Sequence, residues 1–386
     1  MILGIDASNI RGGGGVTHLV ELLKAANPTQ YGFEKVYVWS GKYTLDRIEN
    51  RSWLIKREEP FLNKSLPFRV YWQRFILSKK AKELSCDLLF IPGSSYSGSF
   101  KPYVTLSQNL LPFEVKEMKR YGISWQLIRL ILLRIIQSRT FKNANGVIFL
   151  TNYAKNCILN TIGTTQGVNT VIPHGINLGF DSNVKQQFEI NSYTKEKPFR
   201  ILYVSMIDMY KHQWNVCNAI ADLCDKGYNL RLDLIGPAYK PALNKLKSVL
   251  NQLAKKEYPI FYQGQISHED LHHWYQKSDL FVFASSCENM PIILMESMVS
   301  GLPIASSNMG PMSEVLGENG VYFNPEDSKS ISDSIKLLID SKELRLKMAR
   351  DSYASVKKYS WQKCADETFQ FFQNVIQNKG EQKENV

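Results

Sequence analysis

No apolar run in this chain approaches the roughly 18 to 20 residues that cross a bilayer, so no membrane-spanning helix is expected. The opening Met1-Ile2-Leu3-Gly4-Ile5-Asp6 lacks the basic segment and apolar core of a secretory leader and reads as a strand, so the expected compartment is the cytosol. Cysteine is sparse. Cys86, Cys157, Cys217, Cys224, Cys287 and Cys364 form no Cys-x-x-Cys pair and none lies at ligand spacing from a histidine, which argues against structural zinc or a disulfide framework. Cys217 and Cys224 fall on one face of an expected helix and read as core. Asp-x-Asp is absent, so charge on a bound diphosphate is expected to be neutralised without a metal. A Walker loop and a Gly-x-Gly-x-x-Gly fingerprint are absent too. Acidic residues are scarce in the first half: residues 1–180 hold 11 against 23 Lys and Arg, whereas the remainder holds 25 against 24. Such a field attracts anionic lipid, diphosphates or nucleic acid. No platform of interleaved aromatic and basic residues is visible, so nucleic acid is not an expected partner.

What is present is alternation. Residues 2–7, 35–39, 88–91, 103–106 and 146–150 read as strands, with helices over 17–26 and 125–141 and Thr151 capping another. After a polar stretch over 173–198 the alternation restarts, with strands over 200–204, 230–235, 260–262, 280–283, 303–305 and 320–322. This pattern predicts an α/β protein of two Rossmann-like, doubly wound parallel-sheet domains facing a central cleft. The expected division is 1–175 with a returning helix over 360–378 capped by Ser360, a linker over 176–198, a second domain over 199–358 and a disordered tail over 379–386.

Two glutamates concentrate the chemistry. Glu288 follows the strand 280–283, and Glu296 lies about a turn and a half into a helix over 292–299 that Gly301 stops. Carboxylates accept hydrogen bonds from sugar hydroxyls, and a helix start offers free amides to a phosphate. Each glutamate read alone is equally a solvated or capping residue. Gly12-Gly13-Gly14-Gly15 follows the first strand and reads either as a phosphate-approaching loop or as a plain surface loop. Lys211 follows the first strand of the second half, where it either faces a diphosphate or is simply solvated. Gly236 and the run Gly264-Gln265 end neighbouring strands. His18, His268, His272 and His273 are expected to cover helix surfaces. The segment Trp125–Ile136 is apolar with interleaved arginines, after Lys116, Lys119 and Arg120. It suits a membrane surface or a core helix with snorkelling arginines equally well, and the preceding basic stretch is the better membrane candidate.

Taken together, Ser285, Glu288 and Glu296 in Glu-x7-Glu spacing, Ser300-Gly301-Leu302-Pro303, Gly310-Pro311-Met312-Ser313-Glu314-Val315, Gly320-Val321-Tyr322-Phe323 and Pro173-His174-Gly175-Ile176 resemble the retaining family 4 glycosyltransferases of GT-B fold. The resemblance implies catalytic roles for Glu288, Lys211 and Gln108. It implies donor contacts from Gly13, Gly14, Gly15, Ser205, Gly236, Gln265, Asn289, Met290, Ile292 and Glu296, with Glu296 at the ribose. It also implies a nucleotide-sugar substrate with no cofactor or metal. Three positions depart from the family pattern: Met206 replaces an arginine, Pro291 a glycine amide and Gln108 a histidine. With the basic first half, the expected reaction is retaining transfer of a hexosyl or N-acetylhexosaminyl group to a lipid-linked or other saccharide acceptor in bacterial surface polysaccharide or lipopolysaccharide synthesis. The enzyme would sit peripherally at the inner face of the cytoplasmic membrane. The alternatives are a nucleotide-sugar epimerase and a non-catalytic partner subunit.

Overall fold

The computed structural model describes residues 1–177 and 184–384, and the chain divides into two units. The first comprises Met1–Met118, Ile123–Gly175 and the segment from Tyr359 onward; the second comprises Lys119–Gly122 and Ile176–Lys358. Part of the expected linker, residues 178–183, lies outside the described residues.

The first unit is a parallel sheet of β1 (Ile2–Asp6), β2 (Lys35–Ser40), β3 (Leu54–Glu58), β4 (Leu88–Ile91), β5 (Tyr103–Leu106), β6 (Gly146–Phe149) and β7 (Val168–Val171). Their order is β3-β2-β1-β4-β5-β6-β7. The central strands are unbroken apolar runs because both sheet faces are covered: every residue of Leu88-Leu89-Phe90-Ile91 is buried. β3 and β7 were not expected. Both are sheet edges, and Leu54-Ile55-Lys56-Arg57-Glu58 carries the charges that protect an edge strand, which hides it from a search for apolar runs.

The first helix departs from expectation. It begins at Gly13, not residue 17, and ends at Ala25, so Gly13, Gly14 and Gly15 form its first turn and only Gly12 of the four glycines stays in the loop after β1. First-turn amides have no intrahelical partner, and Gly13, at φ +59, takes a left-handed conformation that a side chain would disfavour. The last helix, Trp361–Glu384, starts at the Ser360 cap, whose hydroxyl accepts from the Lys363 amide at 3.1 Å. It returns to the first sheet, with Phe372 4.9 Å from Phe90 between ring centres. It runs past residue 378 into the expected tail; only residues 385 and 386 fall outside the description. Gly175 allows the chain to pass that helix start, since a Cβ there would lie 2.2 Å from the Trp361 nitrogen.

The second unit is a parallel sheet of β8 (Phe199–Val204), β9 (Leu230–Ile235), β10 (Ile260–Tyr262), β11 (Leu280–Phe283), β12 (Ile304–Ser307) and β13 (Val321–Phe323). Their order is β10-β9-β8-β11-β12-β13. The last two strands start one residue later than expected and end later as well.

His18 corrects a further expectation. It does not cover the helix surface but is buried, with its Nδ1 2.8 Å from Nδ1 of buried His174, both beside Trp361. Burial lowers the His18 pKa from 6.5 to about 4 and takes His174 well below its usual value. A folded-state pKa below the unfolded one means that the unfolded chain binds protons first. Stability is therefore present above pH 6.5 and is lost as pH falls through about 4. The His18 part of that loss is on the order of 3 kcal/mol. Melting temperature against pH should fall across this window, and a variant with both His18→Leu and His174→Leu should show a flatter fall.

Candidate active site

In the second sheet, β8 and β11 are neighbours whose following connections run to opposite sides, β8 towards β9 and β11 towards β12. Loops diverging at such a switch point leave a crevice beyond the carboxyl ends of the strands. The two loops are Ser205 to His212 and Ala284 to Pro291. Across them, Lys211 Nζ and Glu288 Oε1 form an ion pair.

The surrounding bonds fix both partners. Tyr203 OH donates to the Lys211 carbonyl at 2.6 Å, and the Ser286 amide donates to the Tyr210 carbonyl at 2.9 Å. Ser286 Oγ lies 2.9 Å from His212 Nε2. Lys211 is only 7% exposed, and its ammonium also faces the Phe283 and Tyr210 rings. A buried ammonium is tolerated only with such partners. Burial, and after it the Glu288 charge, raises the pKa of Tyr203 and Tyr210 well above the usual phenol value. Sequence reasoning passed over Asp208, a buried carboxylate in the same loop. Burial raises its pKa against the opposing bonds from the Met209 amide and Tyr121 OH and the charge of Lys211.

Glu296 sits in the helix Ile292–Val299, where it accepts from Tyr275 OH at 3.1 Å and is 6% exposed. Gly301, at φ +64, follows the helix end. Asn289 and Met290 are buried beside the pair in sequence, whereas Ile292 is partly exposed at the helix start. Pro291 precedes that helix and offers no N–H. Met206 stands 43% exposed and supplies no charge.

Ser205, Gly236 and Gln265 line the adjoining strand ends. The Ser205 amide donates to the Ile235 carbonyl at 2.8 Å. The Gly236 amide donates to the Gly264 carbonyl at 2.8 Å, next to exposed Gln265. Gly236 has φ +146, and a Cβ there would lie 2.2 Å from the Ser205 carbonyl oxygen, so a side chain would push the β8 and β9 loops apart. Gly310, at φ +64, packs the β12 loop near Glu288, where a Cβ would lie 3.7 Å from the Glu288 nitrogen. It belonged to a recognised pattern but was not expected at the site.

Gly13, Gly14, Gly15 and Gln108 belong to the first unit. Two of them meet: a Cβ on Gly15 would lie 2.8 Å from Gln108 Oε1. The Gln108 amide donates to Ser94 Oγ at 3.2 Å, and its buried side-chain nitrogen has no protein partner. Gly13 and Gly14 are exposed at the helix start.

Residues 185–355 match the family Glycosyl transferases group 1. The whole match falls within the second unit. Proteins similar to this chain include Sulfoquinovosyl transferase SQD2 of Arabidopsis thaliana, 24% identical over 46% of this chain and 33% of that protein. Another is the N,N'-diacetylbacillosaminyl-diphospho-undecaprenol alpha-1,3-N-acetylgalactosaminyltransferase of Campylobacter jejuni, 23% identical over 81% of this chain and 83% of that protein. The chain spans about a third of the length of the plant relative and of some other curated relatives. The chain superposes over 98% of its length on all of a sucrose-phosphate synthase from Thermosynechococcus elongatus, with TM-score 0.74 and 17% identity. Its fold is therefore GT-B.

Removing one half of the Lys211–Glu288 pair strands a largely buried charge. Lys211→Met should lower stability by about 1–3 kcal/mol, and adding Glu288→Gln should restore part of the loss, read by urea unfolding of both variants.

Proposed function

We propose that the protein is a retaining glycosyltransferase. It takes a hexosyl or N-acetylhexosaminyl group from a nucleotide sugar and delivers it to a lipid-linked saccharide during bacterial surface polysaccharide or lipopolysaccharide assembly. The observation that carries the reading is the Lys211–Glu288 pair at the switch point of a group 1 transferase domain. A donor diphosphate competes with Glu288 for the Lys211 ammonium. Once that ammonium turns to the phosphate, the Glu288 carboxylate is released to accept donor-sugar hydroxyls. The sugar–phosphate bond then breaks with oxocarbenium character, Lys211 stabilises the departing charge, and the acceptor hydroxyl enters from the same face. The leaving phosphate takes its proton. Glu296 and the loops at Ser205, Gly236 and Gln265 hold the nucleoside. This chemistry needs no metal, since a lysine supplies the positive charge.

The lipid-linked acceptor has support from the Campylobacter relative, whose name places its acceptor sugar on diphospho-undecaprenol. It also has support from the Trp125–Asn143 helix, which exposes Trp125 (76%), Ile128, Ile131, Leu132, Ile135 and Ile136 among exposed Arg129, Arg139 and Lys142. That surface suits peripheral binding at the cytoplasmic face of an anionic membrane. The helix is the better candidate than the basic stretch before it, because Arg120 is held by Glu326.

Met206 and Pro291 favour a second reading, a non-catalytic partner subunit. A thermal-shift panel of nucleotide sugars separates the two: a raised melting temperature supports the transferase, and no shift with any donor selects the partner. Glu288→Ala should abolish acceptor-dependent nucleotide release while leaving the circular dichroism unchanged; release without an acceptor would point instead to an epimerase. Flotation with anionic vesicles should fall as salt rises, and Trp125→Ser with Ile131→Ser should weaken it further.

A further inference from the structure

The first sheet has its own switch point, between β1 and β4, and the segment packed against it is turned inside out. The helix Leu66–Tyr71 buries none of its residues. Leu66, Phe68, Val70, Tyr71 and, in the π-helical turn Trp72–Leu77, Phe75 (64%) are all exposed. The Tyr71 and Phe75 rings lie 5.0 Å apart, and Phe61 stands 6.0 Å from Tyr71 and 6.3 Å from Phe68. The inward side is polar: Gln73 Nε2 donates to Asp6 at 2.6 Å and to the Ser95 carbonyl at 3.1 Å, and Trp72 Nε1 donates to Asp6 at 3.3 Å. The segment is thus pinned to the end of β1 while presenting an aromatic face outward. π-helical turns recur at functional sites.

At the inner edge of that face stand two guanidinium groups. Arg69 donates to Asn9 Oδ1 at 2.9 Å, and its buried Nε has no partner. Arg11, next to Gly12 and Gly13, donates to the Lys64 and Asn63 carbonyls at 3.1 and 3.5 Å. Burial and the nearby Arg11 charge lower the Arg69 pKa. Among the described residues neither arginine is ion-paired with a carboxylate; Glu59 is bound to Lys80, and Glu58 accepts from Asn63. Lys64 adds a third cation, 4.9 Å from the Phe68 ring centre. Arg69 is half-buried, and a second cation beside it with no carboxylate counter-ion favours an anion there.

We propose that Arg11 and Arg69 hold the diphosphate of a lipid-linked acceptor, and that its hydrocarbon chain lies along Phe68, Tyr71 and Phe75. Guanidinium forks bind phosphate oxygens in pairs, the exposed Gly12 and Gly13 leave room for the group, and the aromatic face takes the chain. Free phosphate would leave that face unexplained. The inference rests on the lipid-linked acceptor reading above, yet its site lies wholly in the first unit.

Calorimetry on the full chain with farnesyl diphosphate, inorganic pyrophosphate and farnesol tests it. Farnesyl diphosphate should bind more tightly than either fragment. Arg11→Gln and Arg69→Gln should each weaken it about tenfold or more. Phe75→Ser should weaken farnesyl diphosphate while leaving pyrophosphate unchanged, and Arg11→Gln, on an exposed side chain, guards against misfolding of the Arg69 variant. Equal binding of pyrophosphate and farnesyl diphosphate would mean a free-phosphate site and overturn the proposal. So would variants that lose anionic vesicles but keep farnesyl diphosphate. Lys211→Met should leave farnesyl diphosphate binding intact, so a failed donor panel with intact lipid binding sinks the transferase reading alone.

Discussion

A lysine ammonium that is largely withdrawn from water constrains the second domain. Lys211 is tolerable in its position only because Glu288, 77 residues later, stands opposite it. That meeting requires β11 to insert beside β8, and it requires the intervening strands to be laid outward on the other side. The Ser286–Tyr210 and Tyr203–Lys211 bonds then hold the loops in register, so the charged pair is a property of the sheet order as much as of two side chains. An ion pair of this kind adds little net stability over an apolar pair, because desolvation offsets attraction. A cation placed at the switch point of a parallel sheet is instead suited to an anionic ligand.

The same economy of close approach recurs where backbone meets backbone. Gly236 lets the ends of β8 and β9 converge, and Gly175 lets the chain pass the start of the returning helix. These positions shape where ligands and elements can approach, but carry no chemistry themselves. The first domain places its unusual features at the surface: an apolar helix face at Trp125–Ile136 and an aromatic face at Phe68–Phe75, both in the half of the chain that is rich in cations. Apolar area exposed on this scale is costly in water unless something covers it. A basic surface with apolar faces suits amphiphiles carrying negative charge.

The buried strands were legible because burial on two faces leaves an unmistakable apolar run, as in Leu280-Phe281-Val282-Phe283. Edge strands escaped because their composition answers to solvent, as Lys56, Arg57 and Glu58 show. The glycine run was legible as a helix approach but not as a first helical turn, since low propensity is little penalised where amides have no partner anyway. His18 was misplaced because nothing in its neighbours along the chain reveals His174 and Trp361. Arg11 and Arg69 were invisible for a related reason: basic residues 58 positions apart look like ordinary solvated charges until the fold brings them together.

The linear order of residues thus determined two alternating parallel-sheet units, the helix that carries Glu296 and the chemical types at the strand ends. Local backbone preference and apolar periodicity act over a few residues and are written in the chain itself. Only the tertiary structure decided that Lys211 faces Glu288, that Gly15 lies against Gln108, and that an apolar helix is exposed rather than buried. Those outcomes depend on which strands become neighbours and on which helix face finds cover, and such long-range choices are made by packing energy summed over the whole domain.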